Sequence, residues 1–215
     1  MFGVTLSALS QGYYLENEGG RGAADVVFVL DFSSSMFQSR VDDGTGRQIR
    51  RAEAMVNALN SAINTLKASG GDIRIGIVAY SGANGYGTSS LADATVLLGL
   101  DRYALPAGQT RYLIYQESYN QATVSTVSGL TRQPSNTPVQ VISKTVTGGT
   151  YTQAGVRVGA DLLMDAADTA KRVPALVLLS DGDPTYGTTS FDNVGVSNLG
   201  FEMNDPQTMA QMGYW

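Results

Sequence analysis

Ala24-Asp25-Val26-Val27-Phe28-Val29-Leu30-Asp31, followed at once by Phe32-Ser33-Ser34-Ser35, is the stretch on which the fold turns. The apolar run is too short for an ordinary helix, and it is rich in β-branched residues. It also lacks the alternation of a half-exposed strand. Such a strand is buried on both faces, the situation found in parallel sheets covered by helices on either side. The carboxyl ends of those strands form one rim, where ligands bind. Asp31 closes the strand at that rim, and Ser33 and Ser35 add hydroxyls two and four residues further on.

Outward from this strand the pattern is that of a βαβ unit. Ile49, Ala52, Met55, Val56, Leu59, Ala62, Ile63 and Leu66 make one apolar stripe of period 3.6, stopped by Ser69-Gly70-Gly71, and predict a helix. Asp72-Ile73-Arg74-Ile75-Gly76-Ile77-Val78-Ala79-Tyr80 predicts a second strand, joined to the first by a right-handed crossover. A third strand is expected over 95–100, at an edge. Ala154, Val158, Leu162, Ala166 and Ala170, at steps of four, predict a helix over 152–171. Val173-Pro174-Ala175-Leu176-Val177-Leu178-Leu179-Ser180-Asp181 is another apolar strand, and it too ends in aspartate. Between these elements lie a turn-rich stretch at 81–90 and a turn at Asp42-Asp43-Gly44-Thr45-Gly46. The region 102–138 carries Tyr103, Tyr112, Tyr115 and Tyr119, and its Ser/Thr/Val-rich part reads as helix or hairpin. The Gly/Asn/Thr-rich tail beyond Gly182 offers at most a short helix over 206–212.

Composition narrows the chemistry. At 215 residues and 43% hydrophobic, the chain has the length and apolar content for one domain with a real core. It contains no His and no Cys, which excludes Ser-His-Asp and Cys-His nucleophile systems, imidazole or thiolate zinc sites, and disulfides. Any metal must be held by oxygen, which points to Mg²⁺, Ca²⁺ or Mn²⁺. A formal net charge of -5 opposes a nucleic-acid partner. Residues 1–20 have neither a basic lead nor a long apolar run, and no later segment approaches the ~20 apolar residues of a spanning helix. The expectation is that any secretion signal and anchor lie outside this chain.

The two strand-end aspartates come with a third element. Gly148-Gly149-Thr150 opens the second predicted helix, where glycines permit close approach and a threonine hydroxyl faces the same rim. Two carboxylates and several hydroxyls form a hard oxygen shell suited to Mg²⁺, and so few protein charges leave the ion able to accept an acidic group from a partner.

Asp31-x-Ser33-x-Ser35, Gly148-Gly149-Thr150-x-Thr152 and Leu178-Leu179-Ser180-Asp181-Gly182, in that order, resemble the von Willebrand factor A (VWA) domain with its metal-ion-dependent adhesion site (MIDAS), over 24–187. The resemblance implies an α/β fold with a Rossmann-like, doubly wound, mostly parallel sheet flanked by helices. It implies that Ser33, Ser35 and Thr150 bind Mg²⁺ (or Mn²⁺ or Ca²⁺), with Asp31 and Asp181 acting largely through water. Thr150 rather than Thr152 matches the ligand threonine, because it directly follows the glycines. Ser34 stands where the family often has glycine and is small enough for the loop. The implied role is a non-enzymatic adhesion module at the cell surface or outside the cell. The implied partner is a protein or extracellular-matrix ligand offering a carboxylate. The turn at 42–46 and the region 102–138 look like the loop insertions of A domains in bacterial surface and pilus-tip adhesins. Residues 1–23 then form a lead-in or the end of a preceding domain, and 188–215 an insertion-like or truncated remainder. Since no further strand-helix pair follows Asp181, a C-terminally truncated domain with an unpaired sheet side is expected.

Each motif has an ordinary reading beside this one. Strand-end Asp residues commonly cap turns, and serines there serve as turn or N-cap hydroxyls. Their joint register with Thr150 favours the metal site. Asp183 reads as a turn residue. The turn at 42–46 lacks the DxDxDG spacing and distal Glu of an EF-hand and reads as a solvated loop. The tyrosines of 103–119 suit a contact surface and internal packing equally. Two other functions compete. An intracellular scaffold of an ATPase or chelatase complex shares the fold. A phosphohydrolase with Asp31 as nucleophile would need a second Asp where Ser33 stands, and no GxxxxGK[ST] loop is present.

Overall fold

Alternate residues of the first strand face opposite cores. In the computed structural model, which describes residues 22–82, 94–146, 148–166, 172–182, 184, 186–187 and 201–202, this strand is β1 (Ala23–Asp31). Val26, Phe28 and Leu30 enter one apolar cluster, and Val27 and Val29 enter another. Burial on both faces is what a continuous apolar run demands. After β1 come α1 (Ser34–Gln38), a hairpin of β2 (Arg40–Asp42) and β3 (Gln48–Arg50), α2 (Arg51–Ala68), β4 (Asp72–Tyr80) and β5 (Ala94–Asp101). Short strands follow: β6 (Tyr103–Ala104), β7 (Leu113–Ser118), β8 (Gln121–Thr126), β9 (Thr131–Arg132), β10 (Thr137–Pro138) and β11 (Ser143–Thr145). The chain continues through α3 (Thr152–Met164), β12 (Val173–Leu179), β13 (Tyr186–Gly187) and β14 (Phe201–Glu202). The architecture is mixed α/β, with strands predominating.

The central sheet has the order β12-β1-β4-β5. β1 runs parallel to β12 and to β4, whereas β5 is antiparallel to β4, with irregular register near Ile77. Asp31 therefore lies beside Tyr80, and Leu30 beside Leu179. The ends of three parallel strands are thus level, which brings residues distant in sequence to one rim. Among the described residues no strand pairs with the outer side of β12, where Val173 and Leu178 are 44% and 41% exposed.

One helix covers each face. Ala52, Met55, Val56, Leu59 and Ile63 of α2 pack with Phe28, Leu30, Ile75 and Ile77. Val158, Leu162 and Leu163 of α3 pack with Val27, Val29, Val78 and Tyr80. Val158, Leu162 and Leu163 are partly buried, whereas a fully buried side chain such as Leu59 or Val29 contributes roughly 1.5–3 kcal/mol. α3 sits close to the sheet: a Cβ on Gly155 would stand 2.5 Å from Tyr80 Cδ1, and one on Gly159 2.7 Å from Val29 Cγ2.

The predicted elements appear with shifted ends. Ile49 keeps its buried position but belongs to β3, because Gly44 and Gly46, at φ 89° and 91°, turn the chain into a hairpin before the helix begins. The third strand spans 94–101. The helix from Thr152 is seen to Met164; the predicted 167–171 lies outside the described residues. So do 1–21, most of the 81–90 stretch, Asp183, and the tail apart from 184, 186–187 and 201–202. The region 102–138 is built of strands: β7 and β8 form a hairpin that β11 joins, and β6, β9 and β10 form a small second sheet. Buried Asn60 of α2 fixes that hairpin, accepting at Oδ1 from the backbone N–H groups of Tyr112 (2.7 Å) and Leu113 (3.1 Å) and donating from Nδ2 to Leu113 O (2.9 Å). Tyr103 and Tyr112 are buried in the packing, while Tyr119 is exposed.

At the opposite end of the sheet an ion-pair network ties the strand starts together. Arg74 and Arg172 both donate to the buried carboxylate of Asp25, and Arg102 and Arg172 both donate to Asp72. Burial alone would raise the pKa of Asp25, but the hydrogen bonds and charges of the two arginines outweigh it and lower it. Asp72, bonded chiefly by Arg102, is held at about 2.

Candidate metal centre

The rim at the carboxyl ends of β1, β4 and β12 gathers the predicted residues. Asp31 is fully buried, and its Oδ1 accepts the Ser33 backbone N–H at 2.8 Å, a short turn that swings the following serines over the strand end. Ser33, also buried, has its Oγ 3.0 Å from Ser35 Oγ. Ser35 Oγ donates to Asp181 Oδ1 at 2.9 Å. A continuous chain of oxygen contacts therefore runs from Ser33 through Ser35 to Asp181, across 146 residues of sequence for the last step.

Thr150 arrives on the loop before α3. Gly148 adopts φ 74°, and its carbonyl accepts the Ser34 N–H at 2.8 Å, which fastens this loop to the serine turn. The Tyr151 N–H donates to Ser81 O at 3.2 Å. Gly82 is pressed against Gly149: a Cβ on Gly82 would lie 2.4 Å from Gly149 Cα. Only glycine permits that approach. Three loops, after β1, after β4 and before α3, thus converge, and Thr150 is buried among them. The hydrogen bonds link Ser33, Ser35 and Asp181 directly; Asp31 joins through the Ser33 backbone, and Thr150 is brought up by its loop.

Electrostatics differ between the two carboxylates of the site. Burial pushes the pKa of Asp31 up, and the nearby charge of Asp181 adds to this; hydrogen bonds from Ser180 and Ser33 act the other way. Ser180 Oγ donates to Asp31 Oδ2 at 2.7 Å. Below the rim, burial and the Asp31 charge raise the pKa of the Tyr80 phenol, which stays neutral, and Tyr80 OH lies 3.4 Å from Thr152 Oγ1. Arg51, the first residue of α2, donates from Nη1 to Asp181 Oδ2 at 2.7 Å.

The donor set fits a small hard cation. Mg²⁺ takes oxygen ligands at about 2.0–2.1 Å in an octahedron, so neighbouring ligands stand about 2.9 Å apart. The Ser33–Ser35 hydroxyl separation, 3.0 Å, matches that edge length, and the Ser35 hydroxyl is held by Asp181 behind it. Ser180, Tyr80 and Arg51 carried no motif of their own. Ser180 stood only within the Leu178-Leu179-Ser180-Asp181-Gly182 motif, Tyr80 as the last residue of an apolar strand, and Arg51 outside the apolar stripe of the predicted helix.

No protein-family model matches the chain, and no curated protein matches it in sequence. Similar solved structures include the pilus adhesin SpaC from Lactobacillus rhamnosus GG, at 24% identity and TM-score 0.48, with 86% of this chain and 18% of that one covered. They also include the PilB minor pilin from Streptococcus sanguinis, at 20% identity and TM-score 0.48, with 91% of this chain and 46% of that one covered. The chain spans less than half the length of either protein.

Proposed function

We propose that this chain is a VWA-type, metal-dependent binding module, displayed at the cell surface, that captures an acidic group of a protein or extracellular-matrix ligand. The observation that carries the reading is the oxygen chain from Ser33 through Ser35 to Asp181 at the level ends of parallel strands, in which the two serine hydroxyls stand 3.0 Å apart, a separation suited to neighbouring Mg²⁺ ligands. One helix on each face of a sheet whose core is parallel supports the doubly wound, Rossmann-like assignment.

In this reading Ser33, Ser35 and Thr150 hold the ion through their hydroxyls, and Asp31 and Asp181 stand behind them. Bound Mg²⁺ supplies a Lewis-acidic coordination position that a ligand carboxylate fills. The protein's part is to hold its donors in place before binding. Ser33 N–H and Ser180 Oγ fix the two oxygens of Asp31, and the Gly148 carbonyl fixes the serine turn. Low protein charge around the ion leaves it attractive to an outside anion. No nucleophile is required, and the reading is of a binding protein rather than an enzyme.

The test is Mg²⁺ titration by calorimetry, with adhesion to immobilised matrix proteins measured in Mg²⁺ and in EDTA. Asp31→Asn keeps the size of the buried side chain while removing its charge. Wild type should bind Mg²⁺ and adhere only in its presence; Asp31→Asn should melt cooperatively in EDTA yet bind no Mg²⁺. Adhesion that survives both EDTA and Asp31→Asn would sink the proposal.

A further inference from the structure

We infer that Arg51 is a built-in counter-cation of this site, ordering Asp181 when no divalent ion is bound and lowering the affinity for that ion by competing for the same carboxylate. The inference rests on the metal-site reading above and assigns a role to a residue outside its donor set. Arg51 is in place because of the β2–β3 hairpin. The Ser39 N–H donates to Ser35 O at 3.0 Å, the chain leaves through the hairpin, and on its return the Arg51 N–H donates to Ser39 O at 3.1 Å. The first residue of α2 is thereby pinned one turn from the motif serines.

The guanidinium does not point away into solvent. Its Nη1 lies 2.7 Å from Asp181 Oδ2, with the Arg51 side chain 27% and the Asp181 side chain 11% exposed. The other oxygen of the same carboxylate accepts from Ser35. One cation therefore already neutralises the acidic end of the oxygen chain, in a setting where charge-assisted hydrogen bonds are strong. Asp31, by contrast, is held by the Ser33 N–H and the Ser180 hydroxyl. Without Arg51, Asp181 would lose the guanidinium that faces it, while the charge of Asp31 stays nearby. With it, an incoming divalent ion meets a fixed positive charge bound to one of its own supporting groups. At partly buried separations such a charge changes divalent affinity on the order of tenfold.

Two substitutions separate charge from hydrogen bonding. Arg51→Gln keeps a donor for Asp181 but no charge, and Arg51→Lys keeps the charge. Calorimetric titration with Mg²⁺ should show Arg51→Gln binding about 10-fold tighter than wild type, with Arg51→Lys within about twofold of wild type. In EDTA, Arg51→Gln should melt about 2–4 °C below wild type, and saturating Mg²⁺ should close that gap. Equal or weaker Mg²⁺ binding by Arg51→Gln overturns the inference while leaving the metal site standing. Failure of wild type itself to bind Mg²⁺ overturns the metal-site reading, and this inference with it.

Discussion

Gly82→Ala places one methyl group where three backbone atoms already stand. The added Cβ would lie 2.4 Å from Gly149 N and Cα and 2.5 Å from its C. Backbone has no rotamer to yield, so the strand-end loop and the loop before α3 must separate by roughly 1 Å to reach ordinary contact. That shift strains two backbone hydrogen bonds that knit the rim, Ser34 N–H to Gly148 O at 2.8 Å and Tyr151 N–H to Ser81 O at 3.2 Å. Overpacking costs about 1–3 kcal/mol, and losing the two bonds adds about 1 kcal/mol each. The sum, about 3–5 kcal/mol, corresponds to a fall in melting temperature on the order of 10 °C for a chain of this size. The same shift carries Thr150 out of line with Ser33 and Ser35, and Mg²⁺ tolerates little departure from an octahedron, so its affinity should fall at least about 10-fold. Gly99→Ala is the matched control, since a Cβ there meets nothing within 4 Å. Thermal melts in EDTA and Mg²⁺ titrations of both variants give the answer. A Gly82→Ala protein that melts within about 2 °C of wild type would refute the claim that the two glycine loops are in obligatory contact.

Two further predictions concern stability apart from the metal. Asn60→Leu leaves the N–H groups of Tyr112 and Leu113 and the Leu113 carbonyl without their side-chain partner; urea denaturation should show a loss of about 2–5 kcal/mol, and a loss below about 1 kcal/mol would mean that the hairpin does not depend on this clamp. Asp72, bonded by Arg102 and then Arg172, titrates at about 2 in the folded chain against about 3.9 unfolded. The unfolded state therefore takes up the proton first, and the stabilisation, fully present above about pH 4, is lost as pH falls towards 2. The urea midpoint followed from pH 6 to pH 2 should drop over that range, less steeply in Asp72→Asn; parallel curves for the two proteins would exclude this pair as a source of acid sensitivity.

What the sequence could reveal depends on whether a contact leaves a local trace. The strand Val26 to Leu30 leaves one, because burial on two faces requires apolar residues at successive positions, and no partner need be known to see it. Asp31, Ser33 and Ser35 leave one too, since a tight turn fixes their spacing. Asp181 and Thr150 were reachable because their own strand and helix carried recognisable ends. The antiparallel course of β5 left no trace, as eight mostly apolar residues read the same in either direction. Ile49 was misleading for a definite reason. It lies three residues before Ala52 and is buried, so it satisfies the helical period while sitting on the returning strand of a hairpin. Asn60 falls within the apolar α2 stripe, and nothing local shows that its amide meets backbone 52 and 53 residues away.

Arg51 is the instructive case. Its distance from Asp181 is set by the length of an intervening hairpin, by the bonds that pin Ser39 at both ends of it, and by the strand register that brings β12 alongside β1. No spacing rule encodes three such constraints together, although each is simple in space. In the proposed metal site the motif residues would set which ion the rim accepts, because their hydroxyl and carboxylate chemistry is local. The strength of that acceptance would then depend on a charge delivered by tertiary structure, that of Arg51. Two chains with the same Asp-x-Ser-x-Ser signature should therefore differ in Mg²⁺ affinity according to what the loop after the serines returns to Asp181, and the signature alone should fail to rank them.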